Sequence, residues 1–109
     1  MNVLAIPEVT EYLERLVDIL YEKEYFGFED TSVSYIVELF EDIIKDLPNK
    51  RSKPAPEFFK KHGKELEYAS FPKNKHTVWY VFFELYEDSG EITYLVKHIE
   101  NNHTAAQYL

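Results

Sequence analysis

Apolar residues in the first half of the chain return every three or four positions. Val9, Leu13, Leu16 and Leu20 form one stripe, which predicts an amphipathic helix over residues 8–26. Pro7 is suited to open it, since the first helical N–H has no partner to lose. Glu8, Glu11 and Glu14 complement the positive end of its dipole. Gly27 is placed to terminate it. A second stripe, Val33, Ile36, Val37, Phe40, Ile44 and Leu47, predicts a helix over 30–47. Asp30, Thr31 and Ser32 are the candidate N-caps, and Pro48 closes the pattern. The connection is short, so the two helices should form an antiparallel hairpin. Before them, residues 2–6 could form a short strand.

The pattern changes near residue 64, from a period of 3.6 to a period of two. Residues 64–71 read as a strand, Pro72–Lys75 as a turn, and 76–86 as a long strand that is almost wholly β-branched or aromatic. Glu87–Gly90 reads as a hairpin loop, with Gly90 supplying a positive φ. Residues 92–99 return as the last strand, followed by a short tail. Between the halves, residues 48–63 are too long for an unstructured loop in so small a domain. Pro56 and Gly63 bracket one or two helical turns, which Phe58 and Phe59 would pin to the body. Helices first and a meander afterwards predict an α+β fold, with the helical hairpin on one sheet face.

At 109 residues the chain is a single domain, 1–109. The absence of cysteine excludes a disulfide scaffold, a thiolate metal site and a cysteine nucleophile. No apolar run approaches the ~18 residues of a membrane span, and the N-terminus has no basic leader. The expectation is a cytoplasmic, soluble protein with no membrane partner. The net charge of −8 is unevenly spread. Residues 1–48 carry 3 basic and 12 acidic groups, residues 49–76 carry 8 basic and 3 acidic, and residues 77–109 carry 1 basic and 5 acidic. The net values are −9, +5 and −4, so a basic middle lies between acidic flanks.

The long strand is apolar on both faces: Trp79, Val81, Phe83 and Leu85 alternate with Val78, Tyr80, Phe82 and Tyr86. One face meets the helices. The other is either a working surface or is covered by the 48–63 segment and the tail. Lys73, Lys75 and His76 stand at the strand's entry, while Lys97, His98 and His103 follow in and after the last strand. Imidazoles and a tyrosine (Tyr80 or Tyr94) among lysines suit a phosphodiester: cations hold the phosphate, and His or Tyr moves protons. Antiparallel pairing is expected to bring the His76 end of one strand close to the His98 end of the other. His98 and His103, five apart, do not have the spacing of a helical zinc site, and three glycines cannot build a phosphate-binding loop or a nucleophile elbow.

The order of elements resembles the RelE/ParE toxin superfamily of bacterial toxin–antitoxin modules. Residues 71–83, a basic turn leading into an aromatic strand, are similar to the family's strand pair. Residues 94–103 resemble its last strand and His-bearing end. The layout covers nearly the whole chain; the residue pattern covers about 64–103. The resemblance implies the toxin of a type II system, with a cognate antitoxin as partner. RelE-type members cut mRNA on the ribosome, whereas ParE-type members inhibit DNA gyrase without catalysis; a further alternative is an inactive relative that acts only as a binding module. Under the first alternative the implied site is catalytic His76, His98, His103 and Tyr80, with Lys73, Lys75, Lys97 and Trp79 binding RNA, and neither a metal nor another cofactor is expected.

Overall fold

A computed structural model describes residues 1–22, 29–105 and 109. The fold is α+β. Strand β1 (Asn2–Ala5) leads into helix α1 (Pro7–Glu22), helix α2 (Glu29–Asp46) and a 3-10 turn (Leu47–Asn49). A two-residue strand β2 (Lys53–Pro54) and a 3-10 helix (Glu57–His62) follow. The meander is β3 (Glu67–Asn74), β4 (Thr77–Asp88) and β5 (Glu91–Asn101), and the chain turns into a short helix α3 (Asn102–Ala105). The five strands form one sheet in the order β1-β5-β4-β3-β2. Its ladders are antiparallel except for β1, which lies parallel to β5 with Asn2 opposite Thr93. The first and last strands of the sequence are therefore neighbours; the helical hairpin carries the chain from β1 across the sheet to β2 at the opposite edge, and the meander brings it back to β5.

Helix α1 buries Val9, Leu13 and Leu16, as its periodicity predicts. Its first turn is tied down by Val9 N–H donating to Ile6 O at 2.9 Å and by the Thr10 hydroxyl donating to Pro7 O at 2.9 Å. The expected terminator Gly27 lies outside the described residues. Helix α2 departs from expectation. Its buried side chains are Ser32, Ile36, Leu39 and Ile43, continued by Leu47 of the 3-10 turn, whereas Val33, Val37 and Ile44 are exposed. Both stripes step by three and four, so sequence spacing alone does not choose between them. The docking angle on the sheet does, and it leaves the second apolar stripe facing outward. The helix also starts at Glu29, so Asp30, Thr31 and Ser32 lie inside its first turns and are not its N-caps.

The sheet face toward the helices carries Ala69, Phe71, Trp79, Val81, Phe83, Val96 and Ile99. Trp79 is 1% exposed, and its indole N–H donates to the Tyr35 hydroxyl on α2 at 2.9 Å. On the other face Phe59, from the 3-10 helix, stacks on Phe82 at 4.4 Å and seals a smaller core with Leu66. Pro56 and Gly63 flank that 3-10 helix as anticipated.

The turns are tighter than the sequence suggests. Strand β4 runs to Asp88, which pairs with Glu91, leaving a two-residue loop of Ser89 (φ 52°) and Gly90 (φ 85°). Positive φ at both positions is the type I′ geometry that matches strand twist. Strand β3 likewise continues through Pro72 and Lys73 to Asn74, with a register shift between Pro72 and Asn74, so the turn is Lys75–His76. Among the described residues no helix is long and apolar enough to cross a membrane.

Candidate functional site

Strand β1 stops at Ala5, opposite Val96, while β5 runs on to Asn101. The last residues of β5 therefore border a cleft at the carboxyl end of β1. The start of α1 forms one wall and the end of the 3-10 helix the other. The cleft holds about 780 Å³ and is lined by Tyr12 and Arg15 from α1, Lys61 and His62 from the 3-10 helix, and Lys97, His98 and Glu100 from β5, among others.

Two imidazoles meet there. The rings of His62 and His98 lie 3.7 Å apart and nearly parallel, at 8°. His98 Nε2 is 2.5 Å from Glu100 Oε1. A carboxylate only accepts, so this nitrogen carries the proton and the other ring nitrogen of His98 is left for chemistry. Residues two apart on a strand share a face, which is why His98 and Glu100 meet. Lys97 is on that face too, although it is adjacent to His98. The β4–β5 register shifts there, with Phe82 opposite His98 and Phe83 opposite Val96. The extra residue is a β-bulge, and it re-aims Lys97 toward Glu84.

The Lys97 ammonium lies 3.1 Å from Glu84 Oε1. Glu84 also accepts from the Glu65 N–H at 3.3 Å and from the Tyr86 hydroxyl at 3.1 Å. Burial pushes the Glu84 carboxyl up, but these hydrogen bonds and the Lys97 charge outweigh it and hold it below the ordinary carboxylate range. The hydrogen bond to Glu84 raises Lys97 above the usual lysine value, against its own desolvation. Burial, then the neighbouring His98 and Lys61, lower the pKa of His62, with Glu100 opposing. Burial and the negative charge of Glu100 raise Tyr12, against Arg15, so its hydroxyl stays protonated at neutral pH.

The donor atoms of His62, His98 and Glu100 all lie within 4.8 Å of one another, close enough to share one divalent ion. The ring geometry disfavours that use. Nitrogen lone pairs lie in the ring plane, and two parallel stacked rings do not aim theirs at a common point. The arrangement fits a hydrogen-bonded acid–base pair better.

The residues expected from sequence are dispersed. His98 and Lys97 are in the cleft. His76 and His103 are exposed just beyond the Trp79–Asn101 end of the β4–β5 ladder, beside Asn102. The Asn102 side chain donates to His76 O at 3.2 Å and accepts from Val78 N–H at 3.0 Å. His98 stands opposite Phe82, six residues beyond His76 and thus about 20 Å along the strand. The expected meeting of His76 with His98 does not occur, because the ladder extends further toward the tail than the pattern indicated. Lys73 points to the helix side, 3.7 Å from both Glu38 and Asp42 and over the Tyr35 ring. Trp79 is in the core, where no RNA base can reach it. Lys75 is exposed at the turn, and Tyr80 is half-buried on the face away from the helices.

Sequence reasoning missed His62, Glu100, Tyr12 and Arg15 as site residues. Two signals were available. His98 and Glu100 alternate onto one strand face, and Glu8, Tyr12 and Arg15 recur at helical spacing on one face of α1. No protein-family model, curated protein or solved structure matches this chain.

Proposed function

We propose that the chain is an RNA-cleaving toxin of the RelE/ParE kind, with its catalytic groups in the cleft beside β5. The observation that carries this reading is the His98–Glu100 hydrogen bond with the His62 ring stacked on His98, in an open cleft that also holds Arg15 and Lys61. His62, kept neutral near pH 7, takes the proton of a ribose 2′-hydroxyl. The 2′-oxygen attacks phosphorus, the bond to the 5′-oxygen breaks, and His98 protonates that leaving oxygen. Glu100 accepts from His98 Nε2 and orients the ring for that transfer. Arg15 and Lys61 offset the charge that builds on the phosphate. The products are a 2′,3′-cyclic phosphate and a 5′-hydroxyl. The element order of a short strand, a helical hairpin, a meander and a short tail supports the family reading.

A second reading, a non-catalytic inhibitor that acts by binding a protein such as DNA gyrase, is favoured by one observation. The outward stripe of α2 and the facing side of α1 form an apolar groove lined by Leu13, Val17, Val33, Val37 and Phe40, with Glu14 and Glu41 at its rim. Such a groove suits an apolar segment with basic flanks, whether from an antitoxin or from a target.

Induced expression with mapping of mRNA ends separates the two. Cuts that carry cyclic phosphate ends and vanish in His98→Ala support the nuclease. Growth arrest that survives His98→Ala and His62→Ala, with intact mRNA, favours the inhibitor. Purified protein that loses cleavage in EDTA and regains it with Zn²⁺ would assign the cleft to a metal instead.

A further inference from the structure

The pairing register sets the side chains of four strands in rows on the sheet face away from the helices. Lys53, Tyr68, Phe82 and His98 stand directly opposite one another, and Ser70, Tyr80 and Glu100 form the next row. Phe59 covers Phe82 in the middle of the first row. On the side of Phe59 away from the cleft is a second concavity of about 330 Å³, lined by Arg51, Lys53, Tyr68, Ser70, Tyr80 and the terminal Leu109. It contains two cations, two phenol rings and a hydroxyl. The Tyr68 and Tyr80 rings are 6.1 Å apart and edge-on, at 75°.

The charges here are unspent. Lys60, Lys73 and Lys97 are each paired with carboxylates, whereas among the described residues no ion pair holds Arg51 or Lys53. The neighbouring carboxylate, Glu67, is engaged by the Ser52 hydroxyl. Exposed cations beside aromatic faces are the chemistry that holds a single-stranded polynucleotide: the backbone on the cations, the bases on the rings. An acidic peptide would use the cations and an apolar one the rings, but neither uses both. The concavity is also one step from the acid–base pair. Tyr80 is directly opposite Glu100, and adjacent strands are about 4.8 Å apart.

We propose that this concavity is a nucleotide subsite for single-stranded RNA, in which the base beside the scissile phosphate stacks on Tyr80, with the Tyr68 ring edge-on beside it, and the next phosphate along lies between Arg51 and Lys53. The assignment rests on the RNA-cleavage reading of the cleft, and its test keeps the two apart. Binding is read by fluorescence anisotropy of a short labelled 2′-O-methyl oligoribonucleotide, which has no 2′-hydroxyl to attack and so cannot be cut. Cleavage is read separately on a dinucleoside monophosphate, whose one phosphate occupies the cleft and leaves none for Arg51 and Lys53.

In the Arg51→Ala/Lys53→Ala variant the slope of log affinity against log salt should shrink by about 0.7, the loss of one neutralised phosphate on a single strand. Tyr80→Ala should weaken binding about tenfold, while Tyr80→Phe should bind as the unaltered protein does. Dinucleotide cleavage by the Arg51→Ala/Lys53→Ala variant should be unchanged. The subsite is overturned if the unaltered protein binds no oligonucleotide, if the salt slope does not move, or if dinucleotide cleavage falls in parallel with binding. Oligonucleotide binding that follows these variants in a protein that cuts neither the dinucleotide nor ribosome-bound mRNA would keep the subsite and remove the catalytic reading.

Discussion

At the scale of single residues, the arrangement turns on two half-buried imidazoles. His98→Ala removes the proton donor to the leaving oxygen and should lower RNA cleavage by about 100-fold or more, the usual worth of a positioned acid. The side chain is only 22% exposed and stacks on His62, so the alanine variant should also lose some melting temperature. His98→Asn, which fills more of the space, should lose cleavage with a smaller thermal loss. Cleavage that tracks melting temperature across the two variants would assign His98 a structural role instead. His62 carries the pH dependence. Its pKa is lowered in the folded state by burial and by His98 and Lys61. The unfolded chain therefore binds a proton more readily than the folded one. This stability contribution is whole above the unfolded value of 6.5 and is lost as pH falls through it toward the lower folded value. NMR titration of the His62 ring should give a midpoint below 6.5, and the acid limb of cleavage should follow it. A His62 midpoint above 6.5 would mean that the Glu100 charge dominates the pair and that His62 is not the base.

At the scale of elements, helix α2 offers a comparison within one segment. Leu39 and Ile43 are 0% and 1% exposed, whereas Val37 is 47% exposed. Leu39→Ala should cost about 2–5 kcal/mol by urea unfolding. Val37→Ala should cost no more than about 0.5 kcal/mol, because it removes little buried surface. Equal costs would mean that the helix is rotated from the orientation described. The β4–β5 loop gives a second check. Gly90 has φ 85°, with no atom within 4 Å of where a Cβ would stand. Gly90→Ala therefore meets no clash, and its cost of about 1–2 kcal/mol should come from the left-handed backbone alone. Much of this scale was legible in the sequence. The change of period near residue 64 located the meander, and the α1 stripe was right. The α2 stripe was misread because Val33, Val37 and Ile44 match the helical period as well as Ser32, Leu39 and Ile43 do. Period reports that a face is apolar, and docking decides which face is buried.

At the scale of the whole molecule, the helix layer, the sheet and the 53–66 cap meet through β4, whose two faces feed both cores. Trp79, the one tryptophan, lies in the larger core against Tyr35 of α2. Its emission should be blue-shifted and should move red on unfolding, at the same denaturant midpoint as the loss of far-ultraviolet circular dichroism. Two separated midpoints would show that the helical hairpin and the meander unfold as separate units.

The sequence by itself determined the elements and the class. Local periodicity, proline and glycine placement and the absence of cysteine are properties of neighbouring residues, and they fix where helices and strands form. Tertiary structure decided what those elements bring together. Whether His98 meets His76 or His62 depends on ladder length, on a one-residue bulge at Lys97 and on where Phe59 docks. Each is a contact between residues far apart in the chain. The parallel pairing of β1 with β5, which sets the end of the sheet and opens the cleft, is of the same kind: Asn2 and Thr93 carry no sign of each other in sequence. A pattern of period two states that a strand has two faces, but not what will lie on either of them, and the candidate site is made of residues from three elements that only packing places side by side.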